Sequence, residues 1–208
     1  LEEADRPVTV LDAGQNLLSR SPVDLLREEP SVDVRARAPA GVQADVSLRG
    51  GAFGQTLILL DGMRLNDAQT GHHNMDLPAP ASLVSQVEIL RGSGSTLYGS
   101  DAVGGVVNFI TRPPETSEMR FGSAAGSFGT NQQHASFALV RGRLAQQLAA
   151  SRDFSSGFRP NRDYRNLSLA SRTHLTSAAG STAVLLGHSD RPFGAENFYG
   201  DYPSWERT

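Results

Sequence analysis

Residues 91–111 read RGSGSTLYGSDAVGGVVNFIT, and the reading of this stretch decides the fold. Glycines at 92, 94, 99, 104 and 105 surround serines and a tyrosine, then lead straight into an apolar, β-branched run from 106 to 111. Glycine supplies the conformations a tight turn needs, and the run after it reads as a buried strand. Just upstream, 86–90 (QVEIL) alternates and reads as its partner, so the glycine segment folds back as a short connection against a sheet. From Gly92 the spacing is G-x-G-x-x-x-x-G, with no lysine after it and no long helix to offer an N-terminus, which argues against a phosphate cradle. No G-x-S-x-G elbow is present either.

Working toward the N-terminus, 81–85 reads as a helical turn and 66–78 (NDAQTGHHNMDLP) as a long polar loop. Before it, 56–60 (TLILL) is a continuous apolar run, as a strand covered on both faces requires, and Asp61-Gly62 turns it into 63–65. Two alternating stretches, 32–37 and 45–49, flank a Pro39-Ala40-Gly41 loop. Ser21-Pro22 caps and starts a short helix that runs to about Glu29 and stops at Pro30. A strand at 8–11 comes first. Residues 1–115 therefore form a small mixed α+β domain, closed by Pro113-Pro114.

Toward the C-terminus the texture changes. Segments 119–128, 132–141, 144–154, 163–175 and 182–190 alternate in part. In the fourth, Leu167, Leu169 and Leu175 share one face while Asn166, Ser168, Arg172 and His174 share the other. Short connections at 141–144 and 176–181 alternate with longer, aromatic-bearing ones at 155–162 and 192–208. Short turns on one side and long loops on the other describe an outer-membrane barrel. Gln146 and Arg152 interrupt the apolar face, so pattern alone leaves a soluble β-sandwich open.

A length of 208 residues with 38% hydrophobic and 20% charged allows one large or two small domains. Residues 1–115 carry net −6 and 116–208 net +3; the acidic first part argues against nucleic acid as a partner. Without cysteine there is no disulfide or thiolate site. No apolar run approaches the roughly 20 residues of a membrane helix. The opening LEEADRP carries no signal peptide, so an exported protein would have lost it by processing.

The segments LRGG (48–51), DGMR (61–64), RG (91–92), YG (98–99) and GGVVNFIT (104–111) stand in the order and spacing of one family. They resemble the plug domain of TonB-dependent outer-membrane receptors, and GQTLILLDGMRLN followed by the glycine stretch is most similar to the cobalamin-transporter-like branch. The resemblance implies a plug domain at 1–115 and the first strands of a transmembrane β-barrel at 116–208. It also implies a receptor in the outer membrane of a Gram-negative bacterium, importing a scarce nutrient such as cobalamin, an iron siderophore or haem with TonB-transduced energy. Its partners would be the small-molecule ligand, outer-membrane lipid, and TonB through an upstream Ton box that LEEADRP does not resemble. No enzyme activity, cofactor or metal is implied. Five strands cannot close a barrel around such a domain, since plugged transporters need about 22, so the native chain is expected to continue.

The same resemblance assigns residues. Two apical loops that meet ligand would carry Arg37 and Gln43 in the first, and Gln69, Thr70, His72, His73, Asn74 and Met75 in the second. Arg49 and Arg91 would look toward acidic residues of the barrel wall. Asp61, Gly62, Gly92, Gly99, Gly104 and Gly105 would set the shape of turns. Read from the residues alone, His72, His73 and Asp76 invite a metal, but adjacent loop histidines point apart and a structural site wants four spaced ligands. A hydrolase would need more than Ser95, Ser100 and Asp101 with distant histidines. The alternative of a different class is a soluble plug-like binding module without transport activity.

Overall fold

In the computed structural model residues 7–13, 19, 21–67 and 69–198 are described; the stretches 1–6 and 199–208, on which the Ton-box reading and the end of the last loop fall, lie outside them. The chain divides into two units, Leu1–Leu77 with Val84–Arg112, and Pro78–Leu83 with Pro113–Thr208. Residues 78–83 thus cluster with the second unit although the first surrounds them in sequence.

In the first unit, β1 (Val8–Asp12), β4 (Thr56–Leu60), β5 (Met63–Arg64), β6 (Gln86–Arg91) and β7 (Gly105–Ile110) form one sheet in the order β1-β6-β7-β4-β5, while β2 (Val32–Ala36) and β3 (Ala44–Leu48) pair as a separate hairpin. β4 and β7 run parallel and every other pair is antiparallel. All five residues of β4 are buried, as its unbroken apolar run requires. Ahead of β2, the expected helix from 22 to about 29 is shorter than its sequence suggests: α1 (Pro22–Leu25) tightens at once into a 3-10 turn, Leu26–Glu28. Ser21 N donates to Asp24 Oδ2 at 3.1 Å to start it, and Glu29 N reaches back only to Leu26 O, at 3.2 Å, before Pro30 ends the run. Too few residues separate cap from proline for α-helical bonds to propagate.

The glycine stretch does fold back on the sheet. It carries one helical turn, α2 (Ser95–Tyr98), and a 3-10 turn at Ser100–Ala102. Ala102 is buried with Leu57, Leu59, Leu90 and Val106, and Tyr98 and Val8 pack against that cluster. Gly105 makes this possible. Its φ is +152°, and a Cβ there would lie 2.4 Å from Leu48 Cδ1 and 2.5 Å from the Leu90 carbonyl oxygen. Three strands meet over a bare backbone.

The corner after β4 is tied to the end of β7. Asp61, at φ +49°, accepts from Thr111 N at 2.7 Å and from the Thr111 hydroxyl, while Gly62 N donates to Asn108 Oδ1 at 3.0 Å. Arg64 of β5 then donates to Asp101 Oδ2 at 2.8 Å and to the Tyr98 carbonyl, satisfying an acceptor at the end of α2. The DGMR and YGSD segments are therefore two halves of one clamp.

In the second unit, β8 (Glu118–Ala125), β9 (Asn131–Arg141), β10 (Leu144–Ser155), β11 (Tyr164–Ser177) and β12 (Gly180–Asp190) form an antiparallel sheet in chain order, unclosed, with β8 and β12 at its edges. Turns at 142–143 and 178–179 are short, and the connections 126–130 and 156–163 lie at the other end. One face carries exposed Met119, Phe121, Phe137, Leu148, Leu169 and Leu186; the other buries Ala138, Ala149, Ala170, Asp153 and Ser168. Both interruptions of the apolar face have local causes. Gln146 Oε1 accepts from the Thr173 hydroxyl at 2.6 Å and its amide donates to Ser171 Oγ at 3.0 Å, so its polar atoms are spent within the face. Arg152 lies between Gln133 and Leu167 in its row, its guanidinium 4.8 Å from the Phe154 ring centroid. On the buried face, a Cβ on Gly187 would lie 2.0 Å from the Pro78 carbonyl oxygen, so only a glycine lets residue 78 lie against the sheet there.

Candidate functional site

β3 opens on Ala44 and Asp45, and the Asp45 carboxylate, 6% exposed, is the point where two loops meet. From the loop after β2, Arg37 places a guanidinium nitrogen 3.6 Å from Asp45 Oδ2. From the loop after β5, His72 Nδ1–H donates to Asp45 Oδ1 at 2.9 Å. A carboxylate only accepts, so this bond fixes a hydrogen on Nδ1. The His72 ring stacks on Phe53, with centroids 4.6 Å apart and planes at 29°. Gly71 permits the stack, since a Cβ there would come within 2.8 Å of the Phe53 ring. With Arg37 beside it, the Asp45 charge is already compensated, and the cluster presents donors and ring edges rather than an uncompensated anion.

The second loop is built on its own polar side chains. Asp67 Oδ1 accepts from Gln69 N at 2.8 Å and Thr70 N at 2.7 Å, and these backbone bonds hold its pKa below the ordinary aspartate value. Thr70 Oγ1 accepts from His72 N at 3.3 Å and starts the 3-10 turn Gly71–His73. Asn74 Oδ1 accepts from Asp67 N at 3.1 Å, and His73 Nδ1–H donates to Asp76 Oδ2 at 2.9 Å. Because the Asp67 pKa is depressed, its contribution to the turn is present above the ordinary aspartate range and is lost as pH falls through the lower folded value. In an NMR titration, the Gln69 and Thr70 amide signals are expected to move below the ordinary aspartate range; movement at the ordinary value would show that the two bonds are absent in solution.

The structure brings Arg37 and His72 onto one carboxylate and leaves Gln69 exposed at the loop tip, with Thr70 and His73 partly exposed. Gln43, Asn74 and Met75 are different: they are 1%, 6% and 2% exposed, so their side chains do not stand at the surface as ligand-meeting groups would. Asn74 is occupied in holding the loop's own backbone. His72 and His73 turn to separate carboxylates, and among the described residues no three His, Cys, Asp or Glu side chains gather as a metal site would need. Ser100 donates to Asp101, which Arg64 already holds.

Arg49 sits at φ +53° with its guanidinium 3.7 Å from where a Cβ on Gly92 would be, next to Arg91. Among the described residues neither arginine has a carboxylate within 4.0 Å, and Arg91 Nε is buried without a partner. Glu29 is the acid that feels Arg91; its pKa is lowered, first by its bonds from Ser31 and only last by that guanidinium. Gly62, Gly92 and Gly99 take φ of +80°, +99° and +85°, and a Cβ on Gly104 would lie 3.1 Å from the Gln55 carbonyl. Asp45, Phe53 and the Arg64–Asp101 clamp are not found by sequence reasoning. The available signal for Asp45 is an acid opening a strand whose hairpin partner carries Arg35, with Arg37 just after it.

In the second unit, the long-connection end of the sheet is itself ordered. Ser155 and Ser156 hydroxyls donate to the Phe128 carbonyl at 2.9 and 2.7 Å, and the Phe128 and Phe158 rings meet edge-on at 6.3 Å. Arg162 lies 4.1 Å over the Phe198 ring, which stacks on Phe193 at 5.4 Å. Burial there pulls the Arg162 pKa down from its ordinary value, with Glu196 opposing.

The chain as a whole is similar to known proteins. The chain is 36% identical over 123 residues to the vitamin B12 transporter BtuB of Vibrio vulnificus strain CMCP6, a match taking in 59% of this chain and 20% of the relative. With BtuB of strain YJ016 it shares 34% over 144 residues, 67% of this chain and 23% of the relative. The chain therefore spans about a fifth of the length of these curated relatives. Among solved structures, unliganded ferric citrate transporter FecA aligns with a TM-score of 0.75 over 92% of this chain and 32% of its own, at 18% identity, which is a likeness of fold. The family described as TonB-dependent Receptor Plug Domain matches residues 1–106, which hold the paired loops and the five glycines of the 91–111 stretch. The chain belongs to the TonB-dependent receptor plug-domain family.

Proposed function

We propose that this chain is the plug, residues 1–115, and the first wall strands, residues 116–208, of an outer-membrane receptor that imports cobalamin. The observation that carries the ligand-facing part is the convergence of Arg37 and His72 on buried Asp45, with Phe53 stacked behind the imidazole. One carboxylate pins two loops, so a ligand touching either loop loads both. Arg37, Gln69, Thr70, His72 and His73 form the ligand-meeting edge, and Gln43, Asn74 and Met75 support it from inside. Cobalamin is favoured over iron siderophores and haem because the curated relatives are named as vitamin B12 transporters. A large, mostly neutral ligand also suits a cluster whose buried charge is already compensated.

Ligand binding at these loops is coupled to TonB through an extended segment that adds a strand to a TonB sheet edge, and the energy so transmitted displaces the plug. Arg49 and Arg91, unpaired among the described residues, take carboxylates of the barrel wall and hold the plug until then. No step of bond-making chemistry is assigned to the chain. The test is equilibrium binding to the receptor extracted from its source membranes, offered cyanocobalamin, a ferric siderophore and haem in parallel. Retention of cyanocobalamin alone is expected. Retention of haem or the siderophore instead reassigns the ligand, and retention of none overturns the loop assignment.

A further inference from the structure

The loop that carries Gln69 to His73 begins where β5 stops, and β5 is only two residues long. Its register pairs Leu60 with Met63 and Leu59 with Arg64, so the next hydrogen-bonded pairs in line are Ile58 with Leu65 and Thr56 with Asp67. In an antiparallel ladder each such pair exchanges both backbone bonds. Leu65 N does donate to the Ile58 carbonyl, at 3.0 Å. Then the side chain of Asn66 intervenes. Its Oδ1 accepts from Ile58 N at 2.7 Å and its Nδ2 donates to the Thr56 carbonyl at 3.1 Å, the places that the Leu65 carbonyl and Asp67 N would take in a longer ladder. Asp67 N goes instead to Asn74 Oδ1, at 3.1 Å.

A side-chain amide suits both β4 groups at once, because Ile58 N–H needs an acceptor and the Thr56 carbonyl a donor. Both residues are 1% exposed, so neither group can turn to water instead. The same chain therefore has two ways to satisfy β4: residues 65–67 zipped onto its edge as more strand, or lifted away with the Asn66 amide in their place. Zipping would draw the root of the loop onto the sheet. We propose that Asn66 is the positioning residue of the ligand loop, ending β5 at Arg64 and holding Gln69, Thr70, His72 and His73 in the arrangement that meets ligand. The inference rests on the reading of this loop as ligand-meeting. A ligand that binds only the lifted arrangement shifts the chain toward it, and by linkage closes the Asn66 bonds more firmly.

The experiment measures cyanocobalamin affinity and amide exchange on the receptor extracted from its source membranes, as wild type, Asn66→Ala and Asn66→Asp. In the wild type, cyanocobalamin at about ten times its Kd should slow exchange of the Ile58 amide about tenfold and leave the amides of 87–90 unchanged. A role confined to stability would not make that one amide follow the ligand. Asn66→Ala should bind cyanocobalamin about tenfold more weakly, and its Ile58 amide should no longer respond. Asn66→Asp keeps the acceptor for Ile58 N and loses the donor for the Thr56 carbonyl, so its affinity should fall in between with the Ile58 response retained. Indifference of the Ile58 amide to ligand in the wild type, a result that needs no variant to fold, overturns the assignment. Unchanged affinity in Asn66→Ala overturns it too, and where Asp45→Ala does weaken binding the ligand reading survives that loss. A wild-type receptor that retains no cyanocobalamin sinks the ligand reading and this inference with it.

Discussion

A single methyl group at residue 105 is expected to loosen the middle of the plug sheet. In Gly105→Ala the added carbon meets Leu48 Cδ1 at 2.4 Å and the Leu90 carbonyl oxygen at 2.5 Å, and the backbone stays at a φ of +152° that L-residues avoid. The leucine tip can turn away, but the carbonyl belongs to β6, which is paired on both sides, to β1 and to β7. Overpacking a core against backbone and straining φ together cost on the order of 3 kcal/mol. In hydrogen exchange on the purified receptor, amides of 106–110 should then exchange about 100-fold faster than in wild type. Gly54→Ala is the matched control, because nothing lies within 4 Å of a Cβ there and its φ is ordinary. Equal protection in the two variants would show that β6 and β7 can separate freely, contrary to the close approach at residue 105.

Asp45→Ala should have its largest effect on ligand rather than on folding. Removing the carboxylate takes away the contact that Arg37 makes from one loop and His72 from the other, while Phe53 still stacks on His72. A charge-assisted bond to a buried carboxylate contributes about 1.5–3 kcal/mol, so ligand affinity of the receptor should fall about 10- to 100-fold while the sheet amides keep their protection. Asp45→Asn retains one acceptor for His72 and should fall in between. Unchanged cobalamin affinity in Asp45→Ala would mean that the loops do not act together.

Much of the fold was legible because strand periodicity is a strong signal where burial is one-sided. Leu167, Leu169 and Leu175 against Asn166, Ser168, Arg172 and His174 gave both faces of β11 directly. The 56–60 run gave a doubly covered strand for the complementary reason. Residues 45–49 alternate and do form a strand, but alternation does not show that every residue of β3 is buried or that Asp45 spends its charge on loop residues that periodicity does not connect to it. Gln43, Asn74 and Met75 are loop residues in polar stretches, yet all three are buried, and Asn74 accepts there from the Asp67 backbone N–H. Gln146 and Arg152 look like errors in an apolar face until the structure supplies Thr173 and Ser171 for one and the Phe154 ring for the other.

The strand order of the plug sheet also sets a timetable for its synthesis. β1 pairs with β6, so Val8 waits for Leu90, and the parallel ladder of β4 waits for Gly105 and the residues after it. Each β-strand of the second unit, in contrast, pairs with the one made just before it. A chain emerging from its N-terminus can zip those neighbouring hairpins as they appear, whereas in the plug only the local pairs β2–β3 and β4–β5 can form early, and the rest of the sheet waits until β6 and β7 have been made.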